Sequence, residues 1–160
     1  MAGTRIEINH NSVEILQALN QLLQNGQDTT PAMAEIAGYM DQRTRENFDN
    51  EQTPDGIPWA PLSNVTQALR AEKGLPVDKI LHGETINLRD EMHIYYDAET
   101  AEVRTGQPAS SYAAMQQFGG TTSNRSMIPG VEIPARPYLG FSADDQGYIL
   151  EILGDFLTNI

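Results

Sequence analysis

Between residues 106 and 140 the chain almost stops using charge, although 22 of its 160 residues are Asp or Glu. Only Arg125, Glu132 and Arg136 interrupt a run that holds Tyr112, Met115, Phe118, Met127, Ile128, Val131, Ile133, Tyr138 and Leu139. Much of the run is glycine and proline, and residues 121–131 follow neither a helical nor a strand period. A backbone this irregular cannot pair all of its own polar groups, so its apolar side chains need a cover. The cover is the chain's own sheet, or a neighbouring chain on which an otherwise unordered arm settles. Loss of charge with Tyr, Phe, Met and Arg retained is the composition of an interface core.

The flanking segments are regular. Residues 4–9 alternate apolar and polar as a short strand would, and Asn11 or Ser12 can cap a helix with Val13, Leu16, Leu19 and Leu23 on one stripe, widened by Ile15 and Leu22. Asn25-Gly26 is a plausible stop. Thr30-Pro31 opens a second helix as cap and first residue, and Ile36, Ala37, Met40, Thr44 and Phe48 stripe it to about residue 49. Pro54, Pro58 and Pro61 then forbid regular structure around Trp59, the only tryptophan. That indole either folds back onto the chain's own core or anchors a partner. Ser63 caps a short helix ending at Gly74. Residues 92–96 and 102–105 read as a hairpin about residues 97–100, and Ser110 as the cap of a helix over 111–118 that stops at Gly119-Gly120. Ser142 starts a final helix with Asp144 and Asp145 in its first turn and Ile149, Leu153, Phe156 and Ile160 on one face. The expected fold is α+β: one domain over 1–160, with residues 1–10 a short strand or flexible start and residues 119–131 an interface loop. A small, mostly antiparallel sheet is packed by helices from both ends.

Chemistry is hard to find. Cysteine is absent, which removes disulfides and thiolate ligands. His10, His82 and His93 sit in unrelated contexts with no ligand at i+3 or i+4. The acidic loop 49–56 misplaces the turn glycine of a calcium loop and lacks its closing glutamate. Asp144 and Asp145 are explained as helix-capping carboxylates, and no nucleophile elbow, phosphate loop or dinucleotide fingerprint is present. We expect no enzyme, cofactor or metal. No run approaches the ~18 apolar residues of a membrane span, so no membrane partner is expected either. A formal charge of −12 argues against gripping nucleic acid. It suits solubility, or a surface past which DNA slides without sticking.

Residues 111–120, Ser-Tyr-Ala-Ala-Met-Gln-Gln-Phe-Gly-Gly, followed by residues 133–140, Ile-Pro-Ala-Arg-Pro-Tyr-Leu-Gly, resemble the phage virion-morphogenesis family, the Mu G-like tail-completion group. Pro54-Asp55-Gly56, Trp59, Pro61-Leu62-Ser63, Ile80-Leu81 and Leu88-Arg89-Asp90 fall in the family's order, so the likeness spans roughly residues 33–158. Gln116 departs from the histidine that members often carry before Gln-Phe-Gly. The resemblance implies a virion protein forming a ring, a homo-hexamer, at the head-proximal end of a tail. There it would complete the tail, help join it to the head, touch neighbouring neck and tail proteins, and pass DNA as cargo. The subunit contacts it implies are Tyr112, Phe118, Gly119, Gly120, Arg125, Met127, Ile128, Arg136, Pro137 and Tyr138. Arg136 is the natural partner for a neighbour's carboxylate. A tail terminator or head-side connector ring is the nearest alternative. An assembly chaperone absent from particles, or a small hydrolase using Asp55, His82 or Asp144-Asp145, are alternatives of other classes.

Overall fold

A 20-residue helix is the axis of the molecule, spanning both of its apolar clusters. The computed structural model describes residues 13–24, 28–81, 88–106, 110–126 and 128–158. In chain order these form α1 (Val13–Gln24), α2 (Thr30–Asp49), α3 (Asn64–Glu72), β1 (Met92–Tyr96), β2 (Ala101–Thr105), α4 (Ser110–Phe118), β3 (Gly120–Thr121), β4 (Glu132–Ile133) and α5 (Ala143–Thr158). The expected strand over 4–9, the caps Asn11 and Ser12, the stop Asn25-Gly26, His10, His82 and Ile160 lie outside the described residues.

α2 buries Ala32, Met33, Ile36, Ala37, Met40, Thr44, Asn47 and Phe48, a stripe at helical spacing that includes every residue expected there. Its start differs from expectation by one residue. Thr29 is the N-cap, with Pro31 following in the first turn. The Thr29 hydroxyl is spent on Ala98 O of the hairpin turn, and Asp28 Oδ1 accepts the Thr30 N–H instead at 3.0 Å. Pro31 still costs nothing, because first-turn amides have no partner inside the helix.

The N-terminal half of α2 packs with α5: Ala32, Met33, Ile36 and Met40 meet Ile149, Ile152 and Leu153, with Ile15 and Leu19 of α1 against the same cluster. The C-terminal end contributes Phe48 to a second cluster with Trp59, Leu88, Met92, Ala113 and Tyr138. Val103 of β2 packs against both. The β1–β2 hairpin pairs Met92 with Thr105 through to Tyr96 with Ala101. Asp97 closes its turn, its N–H donating to Thr100 O at 2.9 Å and its carboxylate accepting the Glu99 N–H at 2.8 Å. Among the described residues the sheets are two antiparallel pairs, β1–β2 and β3–β4, in an α+β fold. α3 is capped by Ser63, whose hydroxyl accepts the Thr66 N–H, yet none of its residues is buried.

One carboxylate locks α5 to α2. Ser142 and Asp145 form a reciprocal capping box: the Asp145 N–H donates to Ser142 Oγ at 3.1 Å, and Asp145 Oδ2 accepts the Ser142 N–H at 2.8 Å. The other oxygen, Oδ1, accepts from Tyr39 Oη at 2.8 Å and Arg43 Nε at 2.9 Å. Burial pushes the Asp145 carboxyl upward, but the donors from Ser142, Tyr39 and Arg43 outweigh it and leave the group below its ordinary value. The same burial, then the Asp145 contact, pushes the Tyr39 hydroxyl up to about 12. Because the folded Asp145 value is the lower one, its stabilisation is present above the unfolded value and vanishes as pH falls through the folded value. Asp145→Ala should therefore cost about 3 kcal/mol at neutral pH. Urea titrations should also show that the variant loses part of the parent's further destabilisation below pH 3.8. An unchanged acid profile would mean that Asp145 is not the linked group.

Candidate subunit interface

The charge-poor stretch folds into a clamp carrying an arm, and the clamp is made of contacts within the chain. α4 turns Ala113 and Gln117 inward, both buried, and leaves Tyr112 and Phe118 exposed. The Gln117 carboxamide reads the backbone of the returning strand as another strand would. Its Oε1 accepts the N–H groups of Tyr138 and Leu139, each at 3.1 Å, and its Nε2 donates to Leu139 O at 2.8 Å. One residue earlier, Gln116 O accepts the Arg136 N–H at 2.7 Å. Asn47 of α2 donates to Tyr138 O at 3.2 Å, and Trp59 Nε1 to Pro137 O at 2.7 Å. Tyr138 is fully buried, its hydroxyl donates to Ala113 O, and its ring lies 4.9 Å from that of Phe48.

Gly119 makes this approach possible. Its φ of +69° is the left-handed conformation of a helix exit, and its N–H reaches Met115 O at 2.9 Å. A Cβ at Gly119 would stand 2.7 Å from Ala135 N and 2.8 Å from Ile133 O, so only glycine lets the return strand pass. β3 and β4 then pair Gly120 with Ile133 and Thr121 with Glu132. Thr122 extends the closure, its N–H donating to Val131 O and its hydroxyl accepting the Val131 N–H, each at 2.9 Å. The expected loop over 121–131 is thus an arm with a paired base. Arg125, Ile128 and Val131 are exposed on it, Ile128 at 51%.

The clamp occupies several residues expected at a subunit contact. Arg136 is buried, and its guanidinium donates to Ala60 O at 2.9 Å, Pro61 O at 3.1 Å and Gln116 Oε1 at 3.4 Å. Three oxygens of its own chain stand where a neighbour's carboxylate was expected, since the chain folds the Pro/Trp loop over this side chain. Burial, reinforced by Arg70, lowers its pKa, and a guanidinium nevertheless stays charged. Trp59 is buried edge-on against Phe48, with ring centroids 5.6 Å apart, the inward of its two expected placements. Pro137 is half-buried, Gly119 is half-buried, and Gly120 is exposed; Met127 lies outside the described residues. The structure therefore leaves Tyr112, Phe118, Gly120, Arg125 and Ile128 of the expected set on the outside. Gln117 and Asn47 were missed. Their one signal was a polar residue on an otherwise apolar helix face, which is too common to point anywhere.

Of the hydrolase candidates, two carboxylates share the border of one hollow and a third is committed to helix capping. Both oxygens of Asp145 are occupied by Ser142, Tyr39 and Arg43. Asp55 and Asp144 border an open hollow with Arg43 and Ser142, and His82 lies outside the described residues. Among the described residues no group of three His, Cys, Asp or Glu is placed to hold a metal, and no helix is long and apolar enough to cross a membrane.

The model of the phage virion morphogenesis family matches residues 10–158. The chain is 34% identical over 151 residues to Mu-like prophage FluMu G protein 2 of Haemophilus influenzae, covering 94% of each chain. It is 31% identical over 121 residues to tail completion protein S of Escherichia phage P2, covering 75% of this chain and 78% of that protein. No solved structure matches.

Two substitutions separate clamp from surface. Gln117→Ala should cost about 2–4 kcal/mol in chemical denaturation, because it orphans two N–H groups and a carbonyl at a buried seam. Phe118→Ala, one residue on but 60% exposed, should stay within about 0.5 kcal/mol of the parent. Equal effects would contradict the division.

Proposed function

The chain belongs to the phage virion morphogenesis family, and from that premise we propose that it is a structural tail-completion subunit that assembles with copies of itself through its arm. The observation that carries this reading is a hairpin held rigidly at its base while its apolar side chains face outward. Folding stability does not explain Ile128 and Val131 exposed on the arm and Phe118 exposed at the end of α4 just before it, whereas assembly would cover them. In the proposal the subunits form a closed ring, a homo-hexamer, at the head-proximal end of the tail. It supports head joining, and the protein is part of the virion. A head-to-tail contact between an arm and a different surface of the next copy closes into a ring when the rotation permits. The P2 relative is named for tail completion, which favours this position over a terminator or head-side connector.

Neck and tail proteins above and below would be the other partners. The excess of carboxylates, 22 against ten Lys and Arg, fits a surface that lets DNA pass without counterion-releasing contacts. No catalytic step is assigned to the protein. Replacing residues 123–129 with two glycines should leave a folded chain whose melting temperature stays within about 3 °C of the parent. That chain should fail to form oligomers by light scattering and fail to support infectious particles. Normal yield of infectious phage from the shortened chain would remove the arm from the proposal. Absence of the parent protein from purified particles would favour an assembly chaperone.

A further inference from the structure

Three carboxylates with no ion pair among the described residues surround one groove. Glu35 comes from α2, Glu151 and Asp155 from α5, and Tyr148, Ile152 and Phe156 supply the apolar part of a space of about 330 Å³. Tyr148 is held against Tyr39, ring centroids 4.4 Å apart, yet stays 43% exposed. Like charges around a partly apolar hollow repel one another, and a cation placed among them relieves that repulsion. The arm has the opposite composition. Arg125 is the one charge between Thr121 and Val131, it makes no ion pair among the described residues, and Ile128 and Val131 stand exposed beside it.

Arm and groove lie at different ends of α2. The clamp from which the arm hangs packs on Phe48, and the groove opens at Glu35. Thirteen residues separate these two on α2, about 20 Å along the axis at ~1.5 Å per residue. Each limb of the arm has about five residues and extends at most about 17 Å. Arm and groove thus belong to opposite ends of the molecule's long helix, as the two distinct patches of a head-to-tail contact would.

We propose that the arm tip of one copy seats in the α2–α5 groove of a second copy. Arg125 sits among Glu35, Glu151 and Asp155, and Ile128 lies against Tyr148 and Phe156. This rests on the self-assembly reading above and names its acceptor surface. Because donor and acceptor are distinct patches, every copy both gives and receives an arm, the contact type that closes rings. The carboxylates both attract the arm and penalise a subunit whose groove stays empty.

The test places a photocrosslinking residue at position 128 and reads dimer-mass species on denaturing gels, from the purified protein and from assembled particles. Crosslinks should map to residue 35 or residues 148–156 of another copy. Arg125→Glu alone and Glu151→Arg alone should each lower the yield about tenfold, and the two together should restore it. Both side chains are exposed, and unchanged melting curves check that folding is intact. Intermolecular crosslinks elsewhere, with both single variants at parental yield, would overturn this docking while leaving self-assembly standing. Finding the groove filled by residues 1–12 of the same chain would overturn it equally. No dimer-mass species in protein or particles would overturn self-assembly itself.

Discussion

The carboxamide of Gln117 is the contact on which the informative half of this protein depends. Three hydrogen bonds to the backbone of Tyr138 and Leu139 let a helix substitute for a β-strand partner, so an extended segment rich in proline can be buried without a sheet. With that segment in place, Tyr138 stacks on Phe48, Pro137 O receives the indole N–H, and Arg136 is drawn under the Pro/Trp loop. Gly119 supplies the clearance, because any side chain there would meet the Ile133–Ala135 backbone. The two blocks that carry the family resemblance are thus the two faces of one contact. Their residue types are explained by folding before any partner is invoked.

The clamp is tied to the rest of the molecule through α2. Along its middle α2 meets the start of α5, where Asp145 caps one helix while binding Tyr39 and Arg43 of the other. Near its C-terminus Arg45 donates to Arg89 O and Met92 O, and Asp49 holds Arg89 with bonds of 2.8 and 2.9 Å. The Asp49–Arg89 pair is largely exposed and contributes little to stability, but its paired geometry sets the approach of the segment entering β1. An arm rooted in such a frame has a fixed base. In the proposed contact with a neighbour, that would lower the ordering cost of the arm.

Features set by local periodicity and capping were legible from the residues alone. The α2 stripe, the hairpin about Asp97 and the Ser142 cap follow from spacing and turn chemistry, whereas a lone tryptophan among prolines left both core and contact open. What depended on long-range pairing was not legible. Arg136 reads as a surface guanidinium because its acceptors, the carbonyls of Ala60 and Pro61, lie some 75 positions away in sequence. Gln117 is hidden for the same reason. The start of α2 shifts because the Thr29 hydroxyl goes to the hairpin turn, a tertiary contact that local capping rules do not contain. Residues 120–121 and 132–133 are too short to show a strand period, and pair only because Gly119 brings them together. As for function, the residues alone indicated a charge-poor stretch needing cover from its own chain or another; membership of the virion morphogenesis family is what brings a phage particle into the reading.

In the proposed division of labour, residues 111–120 and 133–140 build the base and the arm between them reaches a neighbour. High-resolution imaging of intact particles with this subunit located tests it most directly. The account predicts a closed ring at the head-proximal end of the tail, each Gln117 bound to its own Tyr138-Leu139 and each arm crossing to the next subunit. Arms folded back on their own chains, or particles lacking the protein, would contradict it.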